Sequence, residues 1–96
     1  MKQIYYKRKG QTISRKLKNK LALLDPDKGR FLTLNETAAK LWQSLWRPRT
    51  INNMEEILVK EYQVGKKQLK RDLNEFISKM MKLGLIKKID GDLQKN

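Results

Sequence analysis

The chain contains no cysteine and no histidine. Without cysteine there is no disulfide framework and no thiol chemistry, which fits a reducing compartment. Without histidine the commonest general base is missing, and no serine or threonine has an imidazole to activate it. Acids are scarce as well, with 10 Asp and Glu against 23 Lys and Arg. The adjacent pair Glu55 and Glu56 falls in a first helical turn, where the helix dipole accounts for it. The five glycines form no phosphate-cradling loop. Long apolar runs are also absent. The longest, Leu21 to Leu24, is far too short for a membrane span or a signal-peptide core. These absences argue against catalysis, a cofactor, a bound metal and a membrane partner, and the chain reads as cytoplasmic.

What remains is a single domain of 96 residues with a net charge of +13. Such an excess implies an anionic partner or anionic surroundings, unless lysine only keeps the surface soluble. Residues 1 to 20 carry eight Lys or Arg and no acid. The β-compatible segments Gln3 to Tyr6 and Gln11 to Leu17 flank Gly10, so residues 1–19 read either as a basic hairpin or as an arm that orders on binding.

Lys20 to Asp25 has the composition of a buried strand. The turn Asp25-Pro-Asp-Lys-Gly29 leads into a partner strand, Arg30 to Leu34. Alternation there puts Leu32 and Leu34 on one face and Phe31 and Thr33 on the other. Three helices follow. Asn35 caps the first, and its apolar stripe runs through Ala38, Leu41, Trp42, Leu45 and Trp46 until Pro48 stops it. The two tryptophans on that stripe are expected in the core, or one of them at an exposed edge. Asn53 with Glu56 suggests a capping box for the second helix, which Val64 and Gly65 end. The third runs from about Lys66 to Leu83, with Leu69, Leu73, Phe76, Ile77 and Met80 inward and Gly84 as terminator. A last short strand, Leu85 to Ile89, precedes a polar tail at 91–96. The expected class is α+β and winged-helix-like, with an N-terminal three-stranded antiparallel sheet packed on a three-helix bundle. Asp25, Asp27 and Glu36 sit at positions 1, 3 and 12 of a calcium-loop pattern, but Arg30 occupies the position that needs glycine. A turn followed by a helix start explains them.

Two features could bind a partner. The strand around Phe31 is a sheet edge with no internal proline and charge only at Arg30, so it can accept another extended chain. The third helix flanks that edge, with Gln68, Asp72, Glu75 and Lys79 on one border of its apolar stripe and Lys66, Lys70, Asn74 and Met81 on the other.

At these residues the chain resembles the PqqD-like family, also called RiPP recognition elements, over roughly residues 20 to 90. The resemblance rests on Leu21-Ala-Leu-Leu-Asp, Gly29-Arg-Phe-Leu-Thr-Leu-Asn and Thr37-Ala-Ala-Lys-Leu-Trp42. It continues through Thr50-Ile, Glu56-Ile-Leu, Glu61-Tyr-Gln-Val64, Leu69-x-x-Asp72-Leu-x-x-Phe76-Ile and Leu83-Gly-Leu-Ile86. It implies a non-catalytic domain that captures the leader of a ribosomally made precursor peptide and presents it to modifying enzymes. The leader would add as a strand beside Arg30, Phe31, Leu32 and Thr33, packed against Leu69, Lys70, Asp72, Leu73 and Phe76. A free-standing chain with a basic N-terminal segment looks most like the lasso-peptide recognition proteins, whose partners are a separate leader peptidase and further maturation enzymes. The lysine content departs from many members and fits either an acidic leader or only a lysine-rich host proteome. The competing expectation is a winged-helix DNA-binding regulator that inserts Lys66, Lys67, Lys70 and Arg71 into a major groove. A homodimer formed through the same open edge is a third.

Overall fold

The computed structural model describes residues 3–63 and 65–91. Val64 and most of the expected polar tail lie outside the described residues. The element order is β1 (Ile4–Arg8), β2 (Ile13–Leu17), β3 (Lys20–Asp25), β4 (Arg30–Leu34), α1 (Glu36–Ser44), α2 (Ile51–Glu61), α3 (Lys66–Lys82) and β5 (Ile86–Asp90). Strands β2, β3 and β4 form a three-stranded antiparallel sheet in that order, while β1 and β5 form a separate antiparallel pair. The α+β, winged-helix-like arrangement expected from the sequence is therefore present.

The β3–β4 pair follows from its turn. Asp25 is nearly buried, and its carboxylate accepts from the backbone N–H of Asp27 and from the Arg30 guanidinium, 3.1 Å away. This locks the register Asp25↔Arg30 through Leu21↔Leu34. Of the three acids that mimicked a calcium loop, Asp25 and Asp27 thus belong to this turn and Glu36 opens α1, and no metal-binding cluster occurs among the described residues. Leu21, Leu23 and Leu34 project into the core, where they meet Leu41, Trp42 and Leu45 of the first helical segment, Met54 and Leu58 of α2, and Leu69, Leu73 and Met80 of α3.

Helix boundaries are set by local hydrogen bonds. The Asn35 side chain accepts from the Ala38 N–H at 2.8 Å, which caps α1 as its sequence indicates. The helix stops at Ser44, ahead of Pro48, because the Ser44 hydroxyl and the Leu45 N–H close back onto the Leu41 and Trp42 carbonyls. Trp42 is consequently core, at 1% exposure, whereas Trp46 lies past the helix end and is 61% exposed. The second helix starts earlier than the Asn53–Glu56 pattern suggests. Thr50 is its cap, with reciprocal bonds between Thr50 and Asn53 forming the box. Gly84 follows α3 with φ of 73°, a conformation that suits glycine and turns the chain into β5.

The N-terminal segment departs from expectation. Its two strands exist but do not make a hairpin with each other. Strand β1 pairs with β5 in the register Ile4↔Asp90 to Arg8↔Ile86, and β2 pairs with β3. Burial explains the choice, because Tyr6 is buried in the core beside Ile86, which a β1–β2 hairpin would leave without cover. At the far end of the ribbon a β-carbon on Gly91 would collide with the Gln3 backbone, so only glycine lets the two chains close.

Candidate functional site

The sheet has two outer edges. Strand β2 is exposed at every position and carries Arg15 and Lys16, charges that discourage pairing with another chain. Strand β4 is different. Among the described residues nothing pairs with its outer edge, because the chain's own N-terminus is engaged with β5. Beside it runs a groove of about 360 Å³. Thr33, Leu34 and Asn35 form one wall. Asp72, Glu75, Phe76, Lys79 and Met80 of α3 form the opposite wall. Thr37, Ala38 and Leu41 of α1 contribute further lining, and Lys20 stands at one end.

The walls are chemically matched to an extended peptide. An edge strand offers main-chain donors and acceptors to any chain laid alongside. Ala38 and the rim of Phe76, over a floor of buried Leu34, Leu41 and Met80, can receive its inward side chains, while Asp72, Glu75, Lys20 and Lys79 supply charges of both signs. The border of α3 that faces the groove is the Asp72–Glu75–Lys79 side.

Of the residues singled out from sequence, Thr33, Asp72 and Phe76 line the groove together. Phe31 sits on β4 at 66% exposure, and Leu32 turns inward against the core. Leu69 and Leu73 lie in the core beneath the surface and do not line the groove. Lys70 is exposed and also absent from the lining. Both outcomes follow from helical geometry. Leu69 and Leu73 lie on the part of the buried stripe of α3 away from the groove, whereas Phe76 and Met80 further along it reach the groove, and Lys70 falls on the border away from β4. Arg30 is committed to intrachain partners, since its guanidinium bonds the Asp25 carboxylate and the Leu83 carbonyl. It ties the start of β4 to the end of α3 and thereby holds the two walls together.

Groove residues outside that set are Lys20, Leu34, Asn35, the α1 positions Thr37, Ala38 and Leu41, and Glu75, Lys79 and Met80 of α3. Pairing supplied a signal for Lys20, because a β3–β4 register ending at Leu21↔Leu34 puts its neighbour beside the end of the groove. The small residues Thr37 and Ala38 at the start of α1 leave space that bulkier ones would fill.

A winged-helix-like domain with an open strand edge facing a helix is thus the class that fold and groove define. Residues 20–86 match the family model of coenzyme PQQ synthesis protein D (PqqD), more than half of the chain, so the protein belongs to the PqqD family. No curated protein matches it closely enough to count as a relative. Two solved structures share its fold. One is TbiB1 in complex with the TbiA(beta) leader peptide, with a TM-score of 0.74 and 20% identity over 84% of this chain and 94% of that one. The other is lasso peptide synthetase B1 complexed with the leader peptide, with a TM-score of 0.72 and 22% identity over 85% and 96% of the respective chains.

Proposed function

We propose that this protein binds the leader segment of a ribosomally synthesised precursor peptide and holds it for processing by separate enzymes, in lasso-peptide biosynthesis. The observation that carries the reading is the open β4 edge facing the Asp72–Met80 side of α3 in a PqqD-family chain. The leader adds as a fourth strand next to β4, and its inward side chains rest on Ala38 and the rim of Phe76. The two similar solved structures are both leader-peptide complexes, which supports the same use of this groove here. The protein itself performs no chemistry in this reading. It raises the local concentration of the precursor and presents it to a leader peptidase and the enzymes that follow. The groove's balance of Lys20 and Lys79 against Asp72 and Glu75 favours a leader of mixed charge over the acidic one that composition alone suggested. The same carboxylates disfavour insertion of α3 into DNA, because they would approach the phosphate backbone.

Fluorescence polarisation with a labelled leader tests the reading. Wild-type protein binds with a shallow salt dependence. Thr33→Pro removes a main-chain N–H from β4 and weakens binding at least about tenfold. Ser14→Pro, on the opposite edge, serves as the matched control and leaves affinity within about twofold. Equal losses in both variants, or a steep salt dependence with tighter binding to duplex DNA, would count against leader capture.

A further inference from the structure

The groove uses little of the protein's positive charge, and three of the remaining cations, Lys7, Lys87 and Arg47, lie on a second surface beside an exposed tryptophan. Strand β1 is bordered on both sides. On one edge it pairs with β5. On the other, the Tyr6 N–H donates to the Arg49 carbonyl at 2.8 Å, the Arg49 N–H returns to Tyr6 at 2.9 Å, and the Arg8 N–H donates to the Leu45 carbonyl at 3.0 Å. The segment 45–49 therefore runs alongside β1 as a third strip. Lys7 lies in the middle, with Lys87 directly opposite in the β5 register and the Trp46–Pro48 bulge on its other flank.

This arrangement is costly for the fold. Like charges directly opposite in an antiparallel pair repel and destabilise it. Lys7 and Lys87 face each other in this way, and they point opposite to buried Tyr6, away from the core. Arg47 adds a further charge and stacks on the Trp46 ring at 5.4 Å. Trp46 is 61% exposed, an unusual position for a large aromatic in a domain this small. By contrast, Arg8 and Arg49 of the same strips are turned into the structure. Their Nε–H groups donate to the Trp42 and Ser44 carbonyls, and burial lowers both pKa values, for Arg49 with help from Arg47. The single acid on these strips is Asp90.

We propose that the outer face of β1, β5 and the 45–49 segment is a docking surface for an acidic protein surface, that of the maturation enzyme to which the leader is handed. The proposal rests on the leader-capture reading for the identity of the partner. Charge complementarity argues for the occupant's chemistry. The exposed Trp46 with its stacked arginine supplies the residue types that anchor protein interfaces. A protein is favoured over nucleic acid because the strip is short and lacks any helix end or groove to follow a phosphate backbone. None of its residues lines the leader groove, so both partners can be held at once.

The test uses fluorescein-labelled deca-glutamate as the probe, at low ionic strength, with the full chain. Lys7→Glu converts the Lys7–Lys87 repulsion into an attraction, so its melting temperature is expected to rise while probe affinity falls at least about fivefold. Lys67→Glu, an equal change of charge on α3, leaves probe affinity within about twofold. Trp46→Ala also weakens the probe, and binding quenches or shifts Trp46 emission. Leader affinity stays at the wild-type value in Lys7→Glu, which separates a failure here from a failure of leader capture. Equal losses in Lys7→Glu and Lys67→Glu would overturn the proposal, leaving only net charge at work. Tighter binding of a short duplex DNA with the same dependence on Lys7 and Trp46 would overturn it in favour of nucleic acid.

Discussion

Ala38→Trp is expected to abolish leader binding while leaving the domain folded. Ala38 lies on the first turn of α1, lines the groove and is only partly buried, so its side chain has open space before it. An indole there would occupy the space that the leader's inward side chains need. The helix itself tolerates the change, since tryptophan costs under about 1 kcal/mol in helix propensity. Losing the apolar anchors and the strand alignment together should weaken binding by about a hundredfold or more, equivalent to roughly 3 kcal/mol. Fluorescence polarisation with the labelled leader measures the loss, and circular dichroism checks the fold. Near-wild-type affinity with a folded protein would mean that the leader lies elsewhere.

Trp42→Ala should act on the fold instead of the ligand. Trp42 is 1% exposed and shares the core with Leu41, Leu45, Met54 and Leu58. Its ring also carries the Arg8 guanidinium at 5.1 Å, and its carbonyl accepts the Arg8 Nε–H at 3.0 Å. Truncation leaves a cavity and strips the stacking surface from a partly desolvated cation, for a cost of about 3–5 kcal/mol. A domain of this size has a total stability of order 5–10 kcal/mol, so most of it is lost. The melting temperature is expected to fall by roughly 15–30 °C. Urea denaturation gives the free energy directly. A loss below about 1 kcal/mol would show that the core relaxes around the gap, contrary to the close packing described.

Much of this architecture was legible in the residues because local signals agreed. The Asp-Pro-Asp-Lys-Gly turn fixed the β3–β4 pair, and Asn35 and Gly84 marked helix ends with side chains or conformations that act over a few residues. The misreadings share a different cause. Thr50 outcompeted Asn53 as the cap of α2, a choice between two chemically suitable residues three apart. Strand β1 sought β5 at the far end of the chain, because burial of Tyr6 against Ile86 outweighs the convenience of a nearby turn at Gly10. No local pattern reports such a pairing.

The site divides along the same line. Sequence alternation and helical periodicity pointed to β4 and α3, the two elements that wall the groove, and Thr33, Asp72 and Phe76 line it. Alternation and periodicity could not separate Leu69 and Leu73, which are buried away from the groove, from Phe76 and Met80, which border it, since all four belong to one apolar stripe. Nor could they show that α1 contributes Thr37, Ala38 and Leu41, because that depends on how the helix leans over the sheet. Composition misled in one respect. The net charge is large, yet the groove is balanced, and the excess is spread over the rest of the surface, the ribbon around Lys7 and Lys87 included.

Hydrogen–deuterium exchange on the free and leader-bound protein, read amide by amide, tests strand addition most directly. Backbone amides on the outer margin of residues 30–34 should gain strong protection when the leader is added, while those of 13–17 on the opposite margin keep their free-state rates. Protection appearing at 13–17 instead, or no change at either margin under saturating leader, would contradict it.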